Sequence, residues 1–341
     1  MTTPMADAPP LVGLPEIEAA AERLRGVTAV TPLLAFGTPE PDGSSPAYLK
    51  PESLQPIGAF KLRGAYNAIA QLGPAERAAG VVAHSSGNHA QGVARAARLL
   101  DVRALIVMPS NASATKVERT RADGAQVILV GPSSDERAAR AAELAVERGL
   151  TLIPPYDDPR IIAGQGTIGL EIVRQLAEQG VHGPFTVLVP VGGGGLAGGV
   201  VTAIRALRPD ARVYGVEPAL AADGRDSLAA GHIVRWASEA TDRTIADGQR
   251  TTALGALPFL HLVNALEGML TVEEDEICRA MVRAQRAAGL VLEPSGATAL
   301  AALLFALPPD TPRPIVAVLS GGNVDPERYA ALLARGEAAG G

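Results

Sequence analysis

The sequence predicts an α/β protein in which mainly parallel sheet is covered by helices on both faces. Three observations lead there. Short, β-branched and almost wholly apolar runs recur along the chain, as strands buried on both faces require. Longer stretches of helical character separate them. Polar or glycine-rich loops follow several of these runs, at the strand ends where open α/β sheets collect ligands.

In chain order, "GVVAH" (80–84) precedes a helical stretch to Leu100, and "RALIVMP" (103–109) precedes another ending near Gly124. "QVILVG" (126–131) is followed by "DERAARAAELAVERG" and then by the short "LTLIP". "FTVLVPVGGGG" (185–195) runs into a helix, "RVYGVE" (212–217) follows, and "PIVAVLSGGN" (314–323) closes the series. Thr271 with Glu274 reads as a capping box for "VEEDEICRAMVRAQRAAG", which Gly289 ends. Between Ala219 and Leu257 no period is clean, which predicts loops and short helices over the larger domain. No repeat of solenoid length occurs.

Composition removes several function classes. At 341 residues the chain can bury a large core, and the length suggests two domains. A net charge of -6 leaves no electrostatic footprint for nucleic acid, and 3% aromatics leave no stacking platform for single strands. The single cysteine, Cys278, excludes an intramolecular disulfide and a CxxC metal site, and its place inside a helix predicts a small core residue. "MTTPMADAPP" has neither basic nor apolar signal region and reads as a disordered arm. No apolar run approaches the roughly 18 residues of a membrane span, so a cytoplasmic location is the default.

Of 30 Lys and Arg residues only Lys50, Lys61 and Lys116 are lysines. Lys61 sits between Phe60 and Leu62 in "GAFKLRGAYN". The ordinary reading is a snorkelling helix residue, but an amine, unlike a guanidinium, can lose its proton and attack a carbonyl. Downstream, Gly192, Gly193, Gly194 and Gly195 join a strand to a helix, the context a phosphate site requires. Gly193, Gly195 and Gly198 also spell GxGxxG, with Glu217 at the end of the next strand, so an NAD-dependent dehydrogenase is a rival reading. That rival explains none of three further loops. "AHSSGNHAQG" clusters Ser85, Ser86, Asn88 and His89 at a helix start, suited to a carboxylate; "AGQGTIGLEI" reads as a Gly-rich start of a helix; "VLSGGN" sets Ser320 just past a buried strand.

Taken together, "GAFKLRGAYNAI", "HSSGNHAQGVA", "AGQGTIGLEI", "PVGGGGLAGG", "TIADG", "TVEEDEI", "EPSGATALAAL" and "LSGGNVD" resemble, in order and over nearly the whole chain, the fold-type II pyridoxal 5′-phosphate (PLP) enzymes of the threonine dehydratase and serine racemase group. The resemblance implies two open twisted, mainly parallel sheets (tryptophan synthase β-like). A small domain (80–157) is inserted in a large PLP-binding domain (13–79 plus 158–341), after an arm of residues 1–12. It implies that Lys61 carries the cofactor covalently, with Phe60 against its ring. Asn88 would meet the phenolic oxygen O3′, Gly192 to Gly195 and Leu196 the phosphate, and Ser320 the pyridine nitrogen. Ser85, Ser86, Asn88 and His89 would bind the substrate carboxylate. A hydroxyl at the pyridine nitrogen leaves a weaker electron sink than a carboxylate would, which favours elimination.

The activity implied is L-serine/L-threonine dehydration to a 2-keto acid and ammonia. Serine racemisation, with Ser86 as proton donor opposite Lys61, and dehydration of another β-hydroxy amino acid such as 3-hydroxyaspartate stand as alternatives. A non-catalytic PLP-fold protein is a further one. Glu217, the Ala221 carbonyl and Asp223 match a racemase-like site for Mg²⁺ or Ca²⁺. Ala59 stands where the family commonly has Ser. The chain ends soon after "SGGNVDPERYAALLARGEAAGG", which implies the short form without a regulatory domain, and the family implies a homodimer or homotetramer.

Overall fold

The computed structural model describes residues 11–37, 47–85, 87–131 and 134–340. Among these residues ten strands form two sheets: β1 (Leu34–Phe36), β2 (Ala47–Pro51), β3 (Val81–His84), β4 (Ala104–Pro109), β5 (Gln126–Val130), β6 (Thr151–Leu152), β7 (Thr186–Pro190), β8 (Arg212–Pro218), β9 (Gly268–Val272) and β10 (Ile315–Leu319). The larger sheet has the order β1-β2-β10-β7-β8-β9 and the smaller β5-β4-β3-β6. Every pairing is parallel except β1 with β2. The smaller sheet is built from one continuous stretch of chain lying between β2 and β7.

Burial follows the strand composition. All five residues of β7 ("TVLVP") and of β10 ("IVAVL") are buried, as central parallel strands with helices on both faces demand. Two strands escape the apolar pattern. β2 reads "AYLKP" and carries a lysine, yet it is buried throughout. β9 reads "GMLTV" and contains Thr271, so the expected cap is a strand residue. The helix after it starts at Glu274, with Glu273 and Glu276 forming the capping box. The Glu274 carboxylate is turned instead to Thr244 Oγ1 (2.7 Å) and the Ile245 N–H (2.6 Å). Gly289 does end that helix, at φ 64°.

A second correction concerns "AGQGTIGLEI". These residues lie inside the long helix Pro159–Glu178, whose start is set by Asp158 accepting from the Arg160 and Ile161 N–H groups. The glycines serve close packing: a Cβ on Gly164 would fall 2.7 Å from the Arg63 carbonyl oxygen and the Gly64 Cα. A small residue there lets this helix cross the helix Lys61–Ala70 at near backbone contact.

Cys278 is fully buried in the core between the larger sheet and its helices, and burial pushes its thiol up to about 11. Ten residues of the expected N-terminal arm lie outside the described residues. Val12, at the arm's end, is buried and donates its N–H to His261 Nε2. No helix among the described residues is long and apolar enough to cross a membrane.

Candidate active site

Lys61 opens the helix Lys61–Ala70, and no side chain caps that helix. Its first turn is held by neighbours: the Phe60 N–H donates to the Ser320 carbonyl (3.1 Å) and the Gly64 N–H to Gln165 Oε1 (3.3 Å). The end of β10 thus positions the lysine directly. Lys61 Nζ donates to the Pro155 carbonyl (2.7 Å) and lies 5.1 Å from the Phe60 ring centroid. Burial lowers its pKa from 10.5 to about 8.

Behind the lysine, the guanidinium of Arg63 is buried between two carboxylates, those of Glu52 (2.8 and 2.9 Å) and Glu171 (2.6 and 3.0 Å). Lys50 Nζ completes the cluster by donating to Glu171, Gln175 and the Thr31 carbonyl. Burial opposes charge here, yet the Arg63 guanidinium outweighs it and holds Glu52 below the usual carboxylate range. This explains the lysine in β2: it neutralises one of two carboxylates that brace the Lys61 helix.

The segment "PPYDD" (154–158), which no sequence reasoning singled out, ties Lys61 to the glycine loop. Pro155 receives the Lys61 amine, and Tyr156 packs on the loop. Asp157 accepts from the Ala256 and Leu257 N–H groups (3.0 and 2.9 Å) at the start of the helix Ala256–Leu262. The one legible signal was Asp158 before Pro159, an N-cap followed by a first-turn proline.

The glycine loop follows β7, and the helix Gly195–Leu207 starts on it. Gly194 has φ +88°, a left-handed conformation that favours glycine. A Cβ on Gly193 would sit 2.3 Å from the Tyr156 ring, and one on Gly195 2.9 Å from Tyr156 backbone. Side chains are therefore excluded, and the open first-turn N–H groups of this helix make the loop fit a phosphate. Leu196, next in line, is buried in the apolar cluster under the larger sheet.

Ser320 is buried at the end of β10, its Oγ donating to the Ser295 carbonyl (3.2 Å). Asn88 begins the helix Asn88–Leu99 and donates to Glu293 while accepting from Asn323. Ser85 Oγ accepts the Gly87 N–H (3.1 Å). His89 is buried with Nε2 2.9 Å from the Ile153 carbonyl. A carbonyl only accepts, so Nε2 carries the hydrogen. Burial and the nearby Lys61 charge push His89 down to about 3, so the ring is neutral. Ser86 lies outside the described residues.

Glu217 and Asp223 are both buried and sit side by side. Glu217 accepts from the Gly224 and Arg225 N–H groups (both 2.9 Å). Both Asp223 oxygens are buried with no hydrogen-bond partner among the described residues. Burial raises Glu217 well above its ordinary value, with Asp223 adding to it, and burial raises Asp223 to about 7. No group of three or more metal-ligating side chains occurs among the described residues. An orphaned buried carboxylate beside another nevertheless fits a hard cation completed by carbonyl oxygen.

A family profile described as "Pyridoxal-phosphate dependent enzyme" matches residues 24–321. The chain belongs to that family. Within it, this PLP enzyme is 42% identical to the L-threo-3-hydroxyaspartate ammonia-lyase of a Pseudomonas species, over 92% of the chain and 96% of the relative. It is 39% identical to the serine racemase of Schizosaccharomyces pombe, over 94% and 97%. Its structure matches that of the T.th. threonine deaminase with a TM-score of 0.84 and 44% identity, covering 92% of this chain and 99% of the other. The fold is fold-type II, and the enzyme is of the ammonia-lyase and racemase kind. The NAD-dependent dehydrogenase reading gives way to this family.

Proposed function

We propose that this PLP enzyme is an L-serine/L-threonine ammonia-lyase, removing water from the β-hydroxy amino acid to give a 2-keto acid and ammonia. The reading is carried by Lys61, a partly buried amine whose desolvation holds it near a proton affinity suited to general-base work. When bound, PLP supplies an electron sink for the bond broken at the substrate α-carbon. Lys61 is the residue that links to it and, once freed, takes the α-proton at Nζ. Neutral His89 leaves Lys61 as the basic group there. Gly192, Gly193, Gly194, Gly195 and Leu196 are the proposed phosphate cradle, Phe60 the wall, Asn88 the partner of the phenolic oxygen and Ser320 that of the pyridine nitrogen. Ser85, Ser86, Asn88 and His89 are the proposed carboxylate loop. The β-hydroxyl leaves as water with the proton that Lys61 Nζ took from the α-carbon, and the released unsaturated amine reacts with water to give keto acid and ammonia.

One observation favours a second reading, a substrate with a second carboxylate such as 3-hydroxyaspartate. Burial, then the charge of partly buried Arg137, lowers the pKa of His84, which ends β3 beside the Ser85–His89 loop. A positive charge felt at His84, next in the chain to Ser85, suits an acidic substrate side chain. The test is a keto-acid assay across L-serine, L-threonine and 3-hydroxyaspartate, with D-serine measured in parallel. Keto acid from L-serine or L-threonine supports the first reading; turnover of 3-hydroxyaspartate alone replaces it with the second. D-serine lost in Ser86→Ala, with keto acid retained, would add racemisation.

Two further outcomes are expected. Gly195→Ala forces Tyr156 and the loop apart, and a displacement of about 1 Å there is expected to lower turnover about 100-fold, with weaker PLP binding by titration. A Mg²⁺ or Ca²⁺ ion held by Glu217, Asp223 and the Ala221 carbonyl is expected to raise the melting temperature of the wild type. In Asp223→Asn that response should vanish, while the cation-free protein becomes more stable than wild type above neutral pH because a buried, unpartnered carboxylate is gone.

A further inference from the structure

Glu293 precedes the helix Pro294–Phe305, is 2% exposed, and ends a directed chain of hydrogen bonds. Arg119 Nη1 donates to Asn323 Oδ1 (2.9 Å). Asn323 Nδ2 donates to the Ile57 carbonyl (2.8 Å) and to Asn88 Oδ1 (2.8 Å). Asn88 Nδ2 donates to Glu293 Oε1 (2.5 Å). A guanidinium only donates and a carbonyl only accepts, so Asn323 has one possible orientation. Asn88 must then turn its oxygen to Asn323 and its NH₂ to Glu293. One amide hydrogen is engaged by Glu293, and the other remains for the cofactor.

Charged groups face Glu293 from three packed elements. Lys116 comes from the helix Ala114–Ala122, Asp247 from the turn Asp247–Gln249, and Arg328 from the helix Pro326–Ala338. Lys116 and Asp247 are themselves paired at 2.9 Å. Burial outweighs the two cations and raises the Glu293 carboxyl to about 7.

We propose that Glu293 is a positioning residue: through Asn88, its charge state sets how strongly the site holds the phenolic oxygen of PLP in ionised form. This rests on the reading that Asn88 faces that oxygen. An ionised Glu293 draws the Asn88 NH₂ to itself and places a negative charge one side chain from the oxygen. A neutral Glu293 accepts more weakly and removes that repulsion. One proton is bound at Glu293 below the transition and released to solvent above it.

The test is a pH titration of the visible absorbance of the holoenzyme. Wild type is expected to show one transition near neutrality, and Glu293→Gln to be flat over the same range with an unchanged melting temperature. Lys116→Met is expected to move the transition upward, because it removes a cation that favours the carboxylate and leaves Asp247 unpaired. A Glu293→Gln enzyme that keeps the wild-type titration overturns the proposal, as does a wild type with no transition. If Glu293→Gln does not fold, Lys116→Met decides alone, and an unmoved or lowered midpoint overturns the proposal. A wild type with no visible band at all overturns the cofactor reading beneath it.

Discussion

Lys61→Ala is expected to lower keto-acid formation by at least roughly 10²–10⁴-fold, the usual worth of a positioned general base, and to abolish the covalent visible band. Lys61→Arg is expected to fare no better, since a guanidinium keeps its proton and cannot form the link. A second readout separates the amine's chemistry from its fit. Below pH about 8 the amine is protonated in both native and unfolded chains, and the native state bears a buried charge. Between about 8 and the ordinary 10.5 the unfolded chain holds a proton that the native state has released, so the stability of cofactor-free protein rises with pH. Lys61→Met should be flat across that window and more stable than wild type below it, as measured by denaturant unfolding. A wild-type profile with no rise would contradict the burial assigned to this amine.

Arg63→Met is expected to cost about 3–5 kcal/mol of stability, because it strands Glu52 and Glu171 with Lys50 as their one remaining buried cation among the described residues. Neutralising an acid as well, in Arg63→Met with Glu52→Gln, should return much of that loss. Denaturant midpoints at constant slope would measure both variants. If the single variant loses less than the double, the cluster is not held by charge balance. Because Arg63 is two residues from Lys61 on the same helix, the single variant should also reduce turnover in its folded fraction.

The strands that were legible are those whose pattern is simple. β7 and β10 are uninterrupted apolar runs, and burial on both faces leaves no other pattern. β2 was not legible because its lysine looks like a surface residue until Glu171 is found beside it. β9 was hidden because Thr271 and Glu274 have capping-box spacing, while the Glu274 carboxylate is claimed by Thr244 and Ile245. The glycines of "AGQGTIG" looked like the start of a helix and not its interior because single-sequence rules treat glycine as a helix breaker; packing against Gly64 and the Arg63 carbonyl overrides that preference.

The site divides in the same way. Lys61 and the glycine loop could be proposed from the sequence because an amine and a row of N–H donors select residue types at short range, whereas Asn88 and Ser320 were proposed from family resemblance. Tyr156, Pro155, Arg63 and Glu293 were not. Their roles come from contacts 94 residues apart for Lys61 with Pro155, 108 for Arg63 with Glu171 and 205 for Asn88 with Glu293. The sequence by itself determined the α/β class and the order of the strand–loop–helix units, and it nominated the groups proposed for the cofactor. Only the tertiary structure decided which lysine has no carboxylate partner among the described residues, which carboxylates are paired and which acid ends behind Asn88. Burial and distance set those states, and neither is written in local sequence.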